Sequence, residues 1–452
     1  MRDVYPDTIV ARVTPAGRGG VAIVRASGPG VQHLILKLFG TPLTPRMATY
    51  LPFRNAQHEL IDEGLALFFE GPNSFTGEDV LELQGHGSPV VVDQLLAYLI
   101  GLGARLARPG EFSERAFLNG KIDLAQAEAI ADLIESTSLR AAKLAVRSLQ
   151  GDFSKAVHVI TQQVIHLRTH LEATIDFVDE DIDPLAHTHH LLHLQKINQA
   201  ISLLQKNAKQ GSLLREGVTL VITGEPNVGK SSLLNSLTQT EAAIVTDIPG
   251  TTRDVLHHEI VIDGLPIHVI DTAGLRDSDD VIEQEGIRRA KQALQSADIV
   301  LYVLDVRHHS TFEPTIWLRE VAGDATPHLI IVLNKIDLVQ ASPAVLIREN
   351  VHWVSLSAKT GAGLDLLKTA IYTAAGLQHQ EEGLFLARRR HLDALSRAAS
   401  HIQAALNLNS PAASELMAEE LRLAQQALNT ITGEFTSDDL LGEIFSTFCI
   451  GK

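Results

Sequence analysis

The octet Gly224-Glu225-Pro226-Asn227-Val228-Gly229-Lys230-Ser231 constrains this 452-residue chain more than any other feature. It follows the apolar run Val218–Thr223 and leads into Ser232-Leu233-Leu234-Asn235, so the spacing predicts a strand, a glycine loop and a helix. In that setting the glycines let backbone N–H groups curl around phosphate oxygens. Lys230 reaches the β- and γ-phosphates and Ser231 ligates Mg²⁺. Asn227, Val228, Gly229, Lys230, Ser231 and Ser232 are therefore expected to hold a nucleotide.

Three further motifs follow in order. Asp271-Thr272-Ala273-Gly274 closes a predicted strand, placing a carboxylate near Mg²⁺ and a glycine N–H near the γ-phosphate. Asn334-Lys335-Ile336-Asp337 follows the strand Leu329–Leu333, and Asp337 can accept two hydrogen bonds that guanine offers and adenine does not. Ser357-Ala358-Lys359 ends the last strand and supplies backbone contacts to the base. Between the first two lies Thr246-Asp247-Ile248-Pro249-Gly250-Thr251-Thr252, where a switch threonine ordered by Mg²⁺ and γ-phosphate belongs; Thr252 is taken as the second Mg²⁺ ligand. Together these predict a GTPase domain binding GTP and Mg²⁺.

The catalytic apparatus departs from the Ras pattern. Leu275 stands where a glutamine would orient the attacking water, and an apolar side chain cannot do that work. Glu283, in the acidic loop Asp277–Glu285, is the candidate for holding the water through a second water, beside Lys230 and Thr252. No arginine finger is evident in cis. Asn227 suggests instead a monovalent cation beside the phosphate loop, and hence hydrolysis stimulated by K⁺.

The rest of the chain changes texture around this unit. Residues 1–118 mix short strands (Val21–Arg25, Leu65–Phe69, Val80–Gln84) with a helix near Val90–Ile100, an α+β domain. Residues 119–215 are helical, with one pattern running from Asp123 to Gly151 and others near 153–177 and 190–209. Residues 216–376 alternate strand and helix, as a Ras-like parallel sheet requires, and 377–452 return to helix near 385–408 and 414–431. The expected fold class is multidomain α/β and α: an N-terminal α+β domain and a helical domain interrupted by an inserted P-loop GTPase.

The formal charge of −16 argues against a polyanion partner only as a total. Residues 216–376 hold 12 basic and 21 acidic side chains, a net −9, so most of the excess belongs to the GTPase. No apolar run approaches 18 residues, which predicts no membrane span, and the N-terminus shows no signal peptide. A single cysteine, Cys449, permits no internal disulfide and suits a reducing cytoplasm.

The whole chain resembles the tRNA-modification GTPase family known as MnmE or TrmE. The resemblance rests on the switch sequence, on Asp271-Thr272-Ala273-Gly274-Leu275-Arg276, on the inserted position of the GTPase and on the tail Phe448-Cys449-Ile450-Gly451-Lys452. It extends to Gly71-Pro72-Asn73-Ser74-Phe75-Thr76-Gly77-Glu78-Asp79 and to Arg108-Pro109-Gly110-Glu111-Phe112-Ser113-Glu114-Arg115-Ala116-Phe117.

The family implies an N-terminal domain like those of folate-dependent enzymes, which also forms a homodimer. It implies a heterotetramer with the flavoprotein MnmG, whose cofactor is FAD. Tetrahydrofolate (5,10-methylene or a formyl analogue) supplies one carbon for a (carboxymethyl)aminomethyl group on C5 of the wobble uridine, position 34, of certain tRNAs. Carried over by motif, Arg25, Glu82, Lys121 and Lys452 would contact folate, and Asn227 with oxygens of Thr246, Ile248 and Thr251 would hold K⁺. Cys449 is either a reactive thiol near folate or a buried structural cysteine.

Two signals carry less. His187, His189, His190 and His193 have zinc-like spacing but no completing ligand nearby, and read as a solvated helix start. Arg388-Arg389-Arg390 reads as a solvated helix face more readily than as an RNA contact. The rival reading is a ribosome-assembly or RNA-binding switch GTPase without modification chemistry; a GTPase placed inside a helical domain disfavours it.

Overall fold

The computed structural model describes residues 7–176, 186–240, 257–271, 292–308, 313, 317, 327–377, 383–408, 413–434, 438–449 and 451. They fall into two compact units, Met1–Ala131 with Gln425–Lys452, and Asp132–Ala424.

The first unit is built on a six-stranded sheet. Its strands are β1 (Ile9–Arg12), β2 (Gly19–Ser27), β3 (Thr49–Arg54), β4 (Leu60–Phe69), β5 (Val80–Gly87) and β6 (Arg105–Leu106), in the order β3-β4-β5-β2-β1-β6. Alternation decides the faces. Ala22, Val24, Ala26, Leu81 and Leu83 enter a core with Val31, Leu34 and Ile35 of α1 (Val31–Phe39) and Leu95 and Leu99 of α2 (Pro89–Gly101). Arg25 and Glu82, paired across β2 and β5, therefore point to the other face, where Ile9, Ala11 and Ala107 pack on Phe112 of α3 (Glu111–Leu118). Two more helices, α4 (Leu124–Glu135) and, near the C-terminus, one over Asp438–Ser446, share a core of Phe117, Leu124, Ala127, Phe445 and Phe448.

In the second unit α5 (Leu139–Leu149), α6 (Asp152–Asp176) and α7 (Ala186–Glu216) precede a seven-stranded sheet. That sheet contains β7 (Val218–Gly224), β8 (His257–Ile262), β9 (Leu265–Asp271), β10 (Ile299–Asp305), β11 (His328–Asn334), β12 (Ala344–Arg348) and β13 (Val351–Ser355), ordered β12-β13-β11-β10-β7-β9-β8. The inner strands are parallel and both edges antiparallel. The strands β7, β10 and β11 are almost wholly buried, as a sheet covered on both faces requires. Helices α8 (Lys230–Thr240) and α9 (Leu364–Ala374) belong to this layer, and α10 (Arg389–Asn407) and α11 (Ser414–Thr432) follow it.

Segments on either side of the sheet in sequence meet. Phe153 of α6 stacks on Phe385 and His391, and α7 runs so close to residue 385 that a Cβ at Gly211 would lie 1.6 Å from the Phe385 carbonyl oxygen.

The helix expected from Asp123 to Gly151 is two helices. Ser136 turns its hydroxyl back to the Asp132 carbonyl at 2.6 Å, and Ser138 caps α5 by accepting from Ala141 N at 3.1 Å. Short hydroxyl side chains offer the backbone this alternative to a continued helix. The third expected helix is longer than 190–209, reaching Glu216 directly before β7. Strands β1, β3, β6, β8 and β12, helices α1 and α3 and the helix over Asp438–Ser446 were not anticipated from the sequence; β8 and β12 are the antiparallel edges of an otherwise parallel sheet.

Candidate functional site

The nucleotide motifs converge because parallel strands end on one side of the sheet. Gly224 ends β7, Asp271 ends β9, Asn334 ends β11, and Ser357 lies two residues past β13. Glycine is obligatory at two points of the loop. Gly224 has φ +139 with Val303 O 2.3 Å from where a Cβ would stand, and Gly229 has φ +99 with Asn334 Nδ2 at 2.4 Å. Lys230 opens α8 inside the loop, donating to the carbonyls of Gly224 (3.1 Å) and Glu225 (2.8 Å). Ser231 and Ser232 sit exposed in the first helical turn, where N–H groups and the helix dipole favour an anion.

Asn334 ties three motifs together. Its Nδ2 donates to the Val228 carbonyl at 2.8 Å, and its Oδ1 accepts from the backbone of Lys335 (2.8 Å) and Ala358 (2.9 Å). The side chain is 3% exposed, so these bonds form out of water. Lys335, left-handed at φ 70, extends Nζ to the Asn227 carbonyl at 2.6 Å. Asp337 sits in the short 3₁₀ turn Ile336–Leu338, its Oδ1 accepting from Ser357 Oγ at 2.7 Å. Lys359 is exposed next to Ala358. Asn227 is exposed and also left-handed, at φ 61. The bridging role of Asn334 was not evident in the sequence; its motif marks the base site but not what the asparagine spans.

Thr246, Asp247, Ile248, Pro249, Gly250, Thr251, Thr252, Thr272, Ala273, Gly274 and Glu283 lie outside the described residues, as does Lys452; Asp271 is described as the end of β9 only.

In the first unit the structure brings Arg25 and Glu82 together. Arg25 Nε donates to Glu82 Oε1 at 2.9 Å, and the guanidinium lies 5.6 Å from the Phe112 ring and 5.8 Å from the Phe75 ring. Phe75 belongs to the loop whose Pro72 carbonyl accepts from Lys121 Nζ at 2.8 Å. The second oxygen of Glu82 takes no part in that pair, and the two rings beside the guanidinium suit a flat heterocycle carrying N–H donors. Cys449 is exposed, which removes the buried structural reading; its carbonyl accepts from Gly110 N at 3.3 Å.

Beneath this site lies a charge cluster that sequence reasoning missed. Arg115, fully buried, pairs with Asp7 (2.9 Å), Glu78 (3.1 Å) and the equally buried Glu111 (3.1 Å), and Arg105 binds both Glu111 oxygens as a fork, at 2.8 and 2.5 Å. Burial alone would raise the Glu111 pKa, but hydrogen bonds from Arg105, the Arg108 amide and Arg115 outweigh it and hold the carboxyl below its usual range.

Two discounted signals depart from expectation at one residue each, while His189, His193 and Arg389 are exposed as expected. His190 is not solvated: it is 6% exposed and shares a 3.0 Å hydrogen bond with His170 of α6. Arg388 is turned inward rather than lying on a solvated face: it pairs with Asp132 at 2.7 Å, which also receives Arg215 at 2.8 Å.

The sheet and the loops at its strand ends define a P-loop GTPase carried within a larger chain. The family models described as the MnmE helical domain and the GTP-binding protein TrmE N-terminus match residues 124–449 and 8–121. Curated relatives named tRNA modification GTPase MnmE include those of Coxiella burnetii (strain Dugway 5J108-111), 54% identical over 456 residues and 100% of both chains, and of Histophilus somni (strain 129Pt), 54% identical over 450 residues and 99% of both. The chain belongs to the MnmE (TrmE) family of tRNA modification GTPases, and it is a GTP hydrolase. Among solved structures, a crystal structure of Aquifex aeolicus Era is 26% identical over 41% of this chain and 66% of that one, with a TM-score of 0.28.

No helix among the described residues is long and apolar enough to cross a membrane.

Proposed function

We propose that the enzyme spends GTP on a conformational cycle of its GTPase segment, residues 216–376, while tetrahydrofolate chemistry proceeds on its N-terminal segment, residues 1–118. The helical segments 119–215 and 377–452 link them. With a flavoprotein partner of the MnmG kind, in a heterotetramer around its own homodimer, it adds a (carboxymethyl)aminomethyl group to C5 of the wobble uridine of tRNA. The observation that carries this reading is the full-length likeness to relatives named tRNA modification GTPase, with the nucleotide motifs joined through Asn334 in the same chain. Loss of the C5 group from wobble uridine in cells lacking the chain is the outcome that tests it.

The residues fit the groups this function needs. Lys230 and the loop N–H groups take the β- and γ-phosphates. Ser231, with Thr252, would hold Mg²⁺, which neutralises charge on the transferring phosphoryl. Asp337 accepts from guanine while the backbone around Ala358 and Lys359 borders the base. Thr252 and Glu283 would position the attacking water.

No arginine is assigned to the transition-state charge; Asn227 with oxygens of Thr246, Ile248 and Thr251 would hold K⁺, which would supply the positive charge there. GTP hydrolysis is therefore expected to be several-fold faster or more in K⁺ than in Na⁺ at equal ionic strength. Equal rates, measured as phosphate release, would remove the cation from the mechanism.

On the other unit, Arg25 and Lys121 suit the anionic and carbonyl groups of folate, Glu82 its pterin N–H groups, and Lys452 the glutamate tail. Exposed Cys449 is read as a reactive thiol beside the folate. Cys449→Ser is expected to abolish tRNA modification while folate binding, followed by equilibrium titration, stays intact. Modification retained in that variant means the thiol does no chemistry.

A further inference from the structure

One buried carboxylate at the nucleotide site has no part in the functions above. Asp305 ends β10, the strand between β7, which delivers the phosphate loop, and β11, which delivers the base motif; in register it stands beside Asn334. Its side chain is 8% exposed. Arg307 closes on it as a fork, Nε to Oδ1 at 2.9 Å and Nη2 to Oδ2 at 2.7 Å, and the Arg307 amide adds a bond to Oδ1 at 3.1 Å. Oδ2 also receives the Lys335 ammonium at 3.0 Å. The arginine fork first, and then Lys335, hold the Asp305 carboxyl well below the usual carboxylate range, so it stays charged wherever the enzyme works.

Lys335 is thereby held at two points, by Asp305 behind it and by the Asn227 carbonyl in front at 2.6 Å. Asn334 forms a second strut to the next carbonyl, that of Val228. Asn227 is a non-glycine residue at φ 61, a region that costs an L-residue energy unless its surroundings impose it. The Lys335 bond to its carbonyl is such an imposition.

The geometry points to Asp305 as a positioning residue of the nucleotide site: through Lys335 it fixes the Asn227 backbone, so that the base-reading motif and the phosphate loop hold one arrangement. Removing it frees the Lys335 ammonium to swing and lets Asn227 relax. This shapes the loop that grips the phosphates whether or not a cation binds there. Where the cation reading given above holds, it also holds the backbone from which Asn227 would reach K⁺.

The test uses the full-length enzyme and GDP. Asp305→Ala is expected to weaken GDP binding by about tenfold, the loss of one charge-assisted hydrogen bond, in K⁺ and in Na⁺ alike. Arg307→Met, which removes the fork but leaves Asp305 facing Lys335, should change GDP affinity by less than about twofold. Asp305→Asn keeps an acceptor for Lys335 and should fall between the two. If wild-type hydrolysis depends on K⁺, the K⁺ concentration for half-maximal rate should also rise in Asp305→Ala; if it does not, the cation reading fails while the GDP comparison still decides the role of Asp305. GDP affinity unchanged in Asp305→Ala, or lowered equally by Arg307→Met, overturns the assignment.

Discussion

Asp337→Asn is expected to cost the enzyme about a hundredfold or more in kcat/KM for GTP and to make xanthosine triphosphate the better substrate. A carboxylate can accept from both guanine N1–H and the 2-amino group, and two charge-assisted hydrogen bonds at about 1.5–3 kcal/mol each set the size of the loss. The asparagine amide presents one donor where both base groups donate, but it matches a base with a carbonyl at position 2. Local structure should survive, because Ser357 Oγ, now a donor to Asp337 Oδ1 at 2.7 Å, can bond the amide oxygen in the same place. Hydrolysis rates with the two nucleotides measure the exchange. GTP turnover at the wild-type level would mean that Asp337 does not read the base.

Arg115→Met should destabilise the first unit by about 3–5 kcal/mol, the usual result of taking one partner from a buried charge network. Arg115 is fully buried and answers Asp7, Glu78 and Glu111, and Glu111 is itself buried. The substitution leaves those carboxylates with less compensation than their desolvation needs. Melting should fall by about 10 °C for the transition assigned to this unit.

The same cluster gives a direction with pH. The carboxyls of Glu111 and Asp7 are held below their usual range, each against burial, by hydrogen bonds from Arg105 and Arg115. Their contribution is therefore complete above the unfolded carboxylate pKa and is lost as pH falls through the depressed folded values. The melting difference between wild type and Arg115→Met should shrink on acidification. A variant that melts with the wild type at neutral pH would mean the cluster contributes little.

The nucleotide site was legible because its chemistry is ordered along the chain by a fixed architecture. Each motif ends a buried apolar strand, and parallel strands bring their ends together, so spacing alone predicts the convergence of Gly229, Asn334, Asp337 and Ala358. The joints within that site were not legible. Asn334 bridging Val228 to Ala358, and Asp305 behind Lys335, depend on strand order, which no local pattern records.

The first unit was harder for a similar reason. Arg25 and Glu82 are 57 residues apart and become neighbours only through the register of β2 and β5. Glu78, Glu111 and Arg115 look like surface charge one at a time. The usable signal was local: Glu111 and Arg115, one helical turn apart, are interleaved with Phe112, Ala116 and Phe117, which bury the helix around them. Ser136 and Ser138, which divide α4 from α5, lie in a stretch without proline or glycine, so helical periodicity passed over the break.

The most direct measurement is the mass of the wobble nucleoside. Transfer RNA from cells lacking this chain, digested and analysed by mass spectrometry, should have lost the (carboxymethyl)aminomethyl group at C5 of position 34, and the chain restored with an intact phosphate loop should return it. Restoration by Lys230→Ala, or a C5 group unchanged by the deletion, would contradict the account.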